Sequence, residues 1–150
     1  MQQFLWKPWR HALVLPLVLS VFFVSVPAAA AAVGITLGSR ATLTARVLVT
    51  VPVTVTCGPF DQFFGAMSNS VTVEQAAGNG IATGTGSIAD LVCDGTPHTS
   101  QAGVLAAPTS KPFHGGSAVA SASLVVNGII GGQFVFDFGQ AGPQVIAIRG

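Results

Sequence analysis

The chain has 150 residues, a length that allows one domain. Half of the residues are apolar, only 7% are charged, and the formal net charge is +1. This balance excludes a strongly basic nucleic-acid binder and an acidic disordered chain. With 18 glycines and few charged side chains, it also excludes a coiled coil.

The first 32 residues have the pattern of a signal peptide. Lys7 and Arg10 precede an apolar stretch at 12–26, and Pro27 and a run of alanines at 28–32 follow. This pattern predicts a secretory signal-peptide helix at 1–32 and a single domain at 33–150. The alternative is an uncleaved membrane anchor, because 12–34 is uncharged and just long enough to span a bilayer. We therefore expect a secreted, extracellular protein or one anchored by its N-terminal helix.

Residues 33–150 hold two cysteines, Cys57 and Cys93. In an oxidising compartment they are expected to form a disulfide bond, with two buried free thiols as the alternative. Zinc binding is not indicated, because neither cysteine has a second ligand at zinc-finger spacing. The same residues carry four basic and five acidic side chains, a net charge of −1, and their only aromatic residue type is Phe.

The clearest strand pattern runs over 41–57, where every odd position is apolar and most even positions are Thr. This alternation predicts β-structure with one buried face. Seventeen residues would extend about 56 Å, which is too long for one strand of a small domain. We therefore predict a break near 46–48. Pro52 lacks a backbone N–H, so it is expected at a sheet edge or a bulge.

The rest of the chain predicts further short strands separated by turns rich in Gly, Pro, Asn and Asp. Their predicted positions are 70–75, 81–88, 91–93, 98–107, 117–126, 133–138 and 145–149.

Three stretches carry a resemblance to a known group of proteins: 49–57 (VTVPVTVTC), 93–96 (CDGT) and 116–124 (GSAVASASL). They resemble small secreted immunoglobulin-like β-sandwich proteins of high-GC, actinobacterial-type bacteria, which are mostly of unassigned function. With the strand count, the resemblance implies an all-β fold, an immunoglobulin-like β-sandwich of seven to nine antiparallel strands.

Few residues are candidates for catalysis or metal binding. Asp90, Asp94 and His98 are spaced by four, and His114 lies in a Gly-rich loop. These four residues are candidates for a hydrolase or metal site. The alternative interpretation is that Asp94-Gly95 forms an ordinary turn and that His114 is an exposed loop residue. No nucleophile motif such as G-x-S-x-G occurs. We therefore predict no enzyme, no catalytic residue, no metal and no cofactor.

Phe134, Phe136 and Phe138 alternate on one face of a predicted strand. Three rings on one face are typical of a β-sandwich core, and we interpret them as core; a binding face is the alternative.

The low charge leaves strand edges and sheet faces with little protection against association. We therefore predict a secreted or cell-surface non-catalytic structural or binding module that associates through strand edges or an apolar face. Its partner would be an unknown protein or cell-envelope component, with no nucleic acid, and with a membrane only if the signal segment is uncleaved. The alternatives are a carrier of a small hydrophobic ligand in a sandwich cleft, and a hydrolase or metal site around His98, His114, Asp90 and Asp94.

Overall fold

A computed structural model describes residues 33–150, so the predicted signal peptide lies outside the described residues. This part of the chain forms strands joined by turns and loops. The strands are β1 (Gly34–Leu37), β2 (Arg40–Thr44), β3 (Leu48–Thr56), β4 (Gln62–Ala77), β5 (Gly80–Ile88), β6 (His98–Ala106), β7 (Gly116–Ile130) and β8 (Gln133–Arg149).

The strands close into a barrel. Strands β2, β8, β7, β4, β5, β6 and β3 pair in this order, and β3 pairs back to β2. The closing ladder joins β3 to β6 over eight residue pairs, from Leu48↔Leu105 to Val55↔His98. The all-β prediction is confirmed, but the prediction of an immunoglobulin-like β-sandwich is wrong. A sandwich keeps two sheets with free edges, whereas the β3–β6 ladder joins the edges into one seven-stranded barrel.

The predicted break in 41–57 is confirmed. Strand β2 ends at Thr44 and β3 begins at Leu48, and the turn between them places Ala45 and Arg46 at positive φ. Pro52 lies inside β3, where its carbonyl oxygen accepts a hydrogen bond from the N–H of Gly38 (2.7 Å). Its missing N–H faces the interruption between β1 and β2, both of which pair with β3.

Side chains fill the barrel interior. The inward positions alternate along each strand, as the period-2 pattern predicts. The inward residues in the first half of β7, Ala118, Ala120 and Ala122, are small, and Phe113 enters the interior from the β6–β7 connection with no exposed surface. The largest fully buried side chains are Phe113, Leu124, Ile146, Val49, Val51, Val53, Val55, Val71, Val73, Val104 and Val126. Residues 33–150 therefore form one closed barrel and not the two sheets between which the carrier hypothesis places a cleft.

Two glycines let β5 and β6 approach closely. A Cβ at Gly86 would lie 2.0 Å from the carbonyl oxygen of Gly103, and one at Gly84 would lie 2.4 Å from that of Leu105. A side chain at either position would push these strands apart, so the curvature of the barrel on this side depends on both glycines.

Two details of the strand prediction are wrong. Residues 91–93 lie in the β5–β6 connection rather than in a strand. The strands predicted at 133–138 and 145–149 are one strand, β8, because Gly142-Pro143 forms an irregularity opposite β7 instead of a turn.

Candidate interaction face

Three strands extend beyond the barrel. The first half of β4, the second half of β7 and the first half of β8 pair with one another from Gln62↔Ile129 and Ile130↔Gln133 onwards. Strand β5 joins β4 only from Val71, and β2 joins β8 only from Ala147. This three-stranded extension therefore has one strand layer and two faces.

The outward face of the extension is aromatic. Phe134, Phe136 and Phe138 of β8 stand opposite outward-facing residues of β7 and are 54%, 60% and 54% exposed. Phe64 of β4 is 49% exposed, and its ring stacks on that of Phe134 with centroids 5.9 Å apart. Phe134 meets Phe136 edge to face at 4.9 Å. We call these four residues the aromatic face. The interpretation of Phe134, Phe136 and Phe138 as core is wrong, because within residues 33–150 no second layer lies over the even-numbered side chains of this part of β8.

The opposite face of the extension is covered. The 57–61 loop lies over it, and Phe60 from this loop stacks on Phe63 of β4 with centroids 5.7 Å apart. A Cβ at Gly128 would lie 2.6 Å from the Phe60 ring, so the loop packs directly on β7. Asp61 fixes the loop through its N–H to the carbonyl oxygen of Ile129 (2.8 Å) and its carboxylate to the N–H of Gly131 (2.7 Å). This loop explains why the other face alone stays open.

Two irregularities in β4 bring Phe64 to the aromatic face. The register with β7 shifts between Phe63 and Gly65 and again between Ala66 and Ser68, so Phe64 and Met67 are extra residues in bulges. Met67 is 64% exposed. Neither residue was predicted from the sequence, because bulges interrupt the period-2 pattern and 62–69 therefore lacks the alternation of a strand. The paired phenylalanines at 63 and 64 are the one signal that could have shown it.

The aromatic face is large and uncharged. Four phenylalanines about half exposed present roughly 400 Å² of ring surface, if each offers about 200 Å² when bare. Patches of this size on a monomer are often functional. Within residues 33–150, the outward positions around the rings carry uncharged side chains, among them Gln62, Ser68 and Asn127. A partner for this face therefore needs apolar surface rather than charge.

The unpaired edge of β8 is less suited to binding a partner than the aromatic face. Residues 133–140 pair with β7 on one side only. On this strand the N–H of Phe138 donates to Oδ1 of Asp137 (2.8 Å), and Oδ2 of Asp137 is buried without a hydrogen-bond partner within the described residues. A carboxylate at an edge strand opposes the addition of another strand.

A polar groove adjoins the aromatic face on the same side of the sheet. Its volume is about 340 Å³, and it is lined by Ser70, Thr72, Ser121, Ser123, Gln140 and Pro143, among others. The hydroxyls of Ser70 and Ser123 bond each other at 2.9 Å. The groove borders the face with small polar side chains and adds no charge.

The side chains of Asp94 and His98 are in contact, and Asp94 forms a local turn. Oδ1 of Asp94 accepts hydrogen bonds from the N–H (2.8 Å) and the hydroxyl (2.7 Å) of Thr96, and Nε2 of His98 lies 2.9 Å from the same oxygen. The two Thr96 bonds, followed by the His98 bond and its charge, lower the pKa of Asp94 from 3.8 to about 2. A carboxylate that accepts a hydrogen bond from the backbone N–H two residues further along the chain forms an Asx turn. Asp94 therefore stabilises this local turn.

The other two candidates lie apart from this turn. His114 contacts the carbonyl oxygens of Ala76 and Gly115, and the N–H of His114 donates to the side chain of Gln75. Asp90 accepts a hydrogen bond from Ser100 through its backbone carbonyl (3.4 Å). Within the part of the chain that the structure describes, no three His, Cys, Asp or Glu side chains could together hold a metal ion.

Cys57 and Cys93 form the expected disulfide. Cys57 follows β3 and Cys93 precedes β6, so the bond ties the two strands that close the barrel. Both cysteines are buried. The disulfide is therefore a structural link at the rim of the closing ladder.

Comparison with known proteins identifies no relative of this chain. No family of proteins, no curated protein and no solved structure matches the chain. Among residues 33–150, no helix has the length and apolar character needed to cross a membrane. Function is therefore inferred from the geometry of the described residues.

Proposed function

We propose that the protein is a non-catalytic binding module that associates with another protein through the aromatic face. The observation that carries this proposal is the exposure of four phenylalanines on one side of the β4–β7–β8 extension. Burial of apolar surface is the main favourable term in protein association, and it contributes about 25 cal/mol for each Å² removed from water.

The face has the properties of an interface core. Aromatic residues are enriched and charged residues are depleted in such cores. The rings of Phe64, Phe134 and Phe136 already contact one another, so a partner has little side-chain motion to restrict when it binds. The loop that covers the opposite face gives the extension a firm support.

The cellular location in which the protein would bind its partner is a prediction from the signal-peptide pattern of residues 1–32. Export would bring the aromatic face to the cell surface or the medium, where partners on the cell envelope or in solution are available. A retained N-terminal helix would hold the same face close to the membrane.

Photo-crosslinking tests the proposal. Phe136→p-benzoylphenylalanine keeps an aromatic ring on the face, and Leu105→p-benzoylphenylalanine is the matched control, because Leu105 is also 60% exposed but lies on β6. In the cells that produce the protein, we expect a protein adduct from position 136 that Phe134→Thr in the same chain abolishes. The absence of an adduct at position 136, or equal adducts at both positions, would overturn the proposal.

A further inference from the structure

We infer that the protein on the aromatic face is a second copy of this chain, packed face to face about a two-fold axis. This inference rests on the proposed function and names its partner. A two-fold interface brings the same patch of each copy together, so the patch must complement itself in shape, polarity and charge.

The exposed rings of the face supply part of the area that a dimer needs. A stable interface buries about 800 Å² on each partner. The exposed rings supply roughly 400 Å², half of this amount. The half-buried side chains of Val125 and Ile129 between the rings, and Gln62 and Asn127 around them, lie on the same side of the sheet and extend the contact. Two such sheet faces can pack about 10 Å apart, like the two layers of a β-sandwich.

The charge of the face also fits a second copy. A patch with charges of one sign would repel itself across a two-fold axis, and the outward positions of the described extension carry no charge. Residues 33–150 carry four basic and five acidic side chains, so two copies repel each other weakly at long range. A strongly charged partner would instead lose water from its charged groups against Phe and gain no ion pair there.

The face is a better contact than the edge of β8. Pairing of two β8 edges would require the N–H of Phe138, which already donates to Asp137. Edge pairing would leave the rings uncovered, whereas face-to-face packing removes them from water.

Sedimentation velocity over about a thousandfold concentration range tests the inference on the protein purified from the cells that produce it. We expect a monomer–dimer equilibrium. Phe136→Thr should raise the dissociation constant by at least about 30-fold, the size of a strong interface position. Leu105→Thr, with the same exposed fraction outside the face, should leave it unchanged within twofold. Phe64→Thr repeats the test from β4, in case Phe136→Thr impairs folding of β8.

The outcomes separate this inference from the proposed function. A wild-type monomer at all concentrations, or a dimer that neither Phe substitution weakens, would overturn self-association. If the crosslink from position 136 then joins a different protein, the inference is wrong and the proposed function stands. An adduct of twice the chain mass supports both, and no adduct contradicts both.

Discussion

The contrast between Phe136 and Phe113 tests the placement of the aromatic residues. Phe136 is 60% exposed on the outward face, whereas Phe113 has no exposed surface and fills the barrel. The buried part of Phe136 is roughly 80 Å², so Phe136→Ala should lower the free energy of unfolding by at most about 2 kcal/mol. Phe113→Ala removes a full core side chain and should cost about 3–5 kcal/mol.

Urea unfolding followed by far-ultraviolet circular dichroism measures this difference, at protein concentrations low enough to keep the chain monomeric. With a slope of about 2 kcal/mol/M, the midpoint should fall by up to about 1 M for Phe136→Ala and by about 2 M for Phe113→Ala. Leu105→Ala provides a second exposed control on β6. Equal losses for Phe136 and Phe113 would refute the placement of Phe136 on an open face and return it to the core.

Two further predictions concern stability. Replacing both Cys57 and Cys93 with Ala removes the bond that closes a loop of about 37 residues, and chain entropy predicts that this lowers the free energy of unfolding by about 4 kcal/mol. The urea midpoint should fall accordingly. A midpoint equal to that of the oxidised wild type would show that the bond does not constrain the fold. Because the pKa of Asp94 is lowered to about 2 in the folded chain, its ionised carboxylate stabilises the fold above pH 3.8, and this stability is lost as the pH falls towards 2. Over this range the melting temperature of Asp94→Asn should therefore fall less steeply with acid than that of the wild type, and parallel slopes would contradict the Thr96 and His98 contacts.

Local patterns in the sequence predict the strands well where one face is uniformly buried. In β3 every second residue is an inward valine, so the strand, the turn before it and the all-β class follow from the alternation. The pairing of Cys57 with Cys93 follows from their number and from the predicted compartment. These features depend on neighbouring residues or on simple counts.

The closure of the barrel could not be predicted in the same way. Alternation shows which side of a strand is apolar, but it does not show which strand lies beside it. The β3–β6 ladder joins residues that are far apart in the sequence, from Val55 and His98, 43 positions apart, to Leu48 and Leu105, 57 positions apart. Small inward residues on β5 and β7, including Gly84 and Gly86, allow a narrow closed interior, but the same residues would also suit a thin sandwich.

The three phenylalanines of β8 were assigned to the core for a different reason. In β8 the residues on both faces are apolar at Phe134, Val135 and Phe136, so the sequence does not show which face is buried. The choice depends on the 57–61 loop, which packs beneath the extension and leaves the even-numbered side chains outside. A local pattern does not contain this tertiary contact.

The concentration dependence of one methyl resonance tests the central claim most directly. The chain contains only two methionines, Met1 and Met67, and Met67 is a 64% exposed bulge residue of β4, three positions after Phe64 of the aromatic face. In a protein labelled with ¹³C at the Met methyl groups, we expect the Met67 signal to shift as the protein is concentrated, and we expect Phe136→Thr to abolish this shift. A Met67 signal that keeps its position while the protein associates would show that the contact lies on another surface.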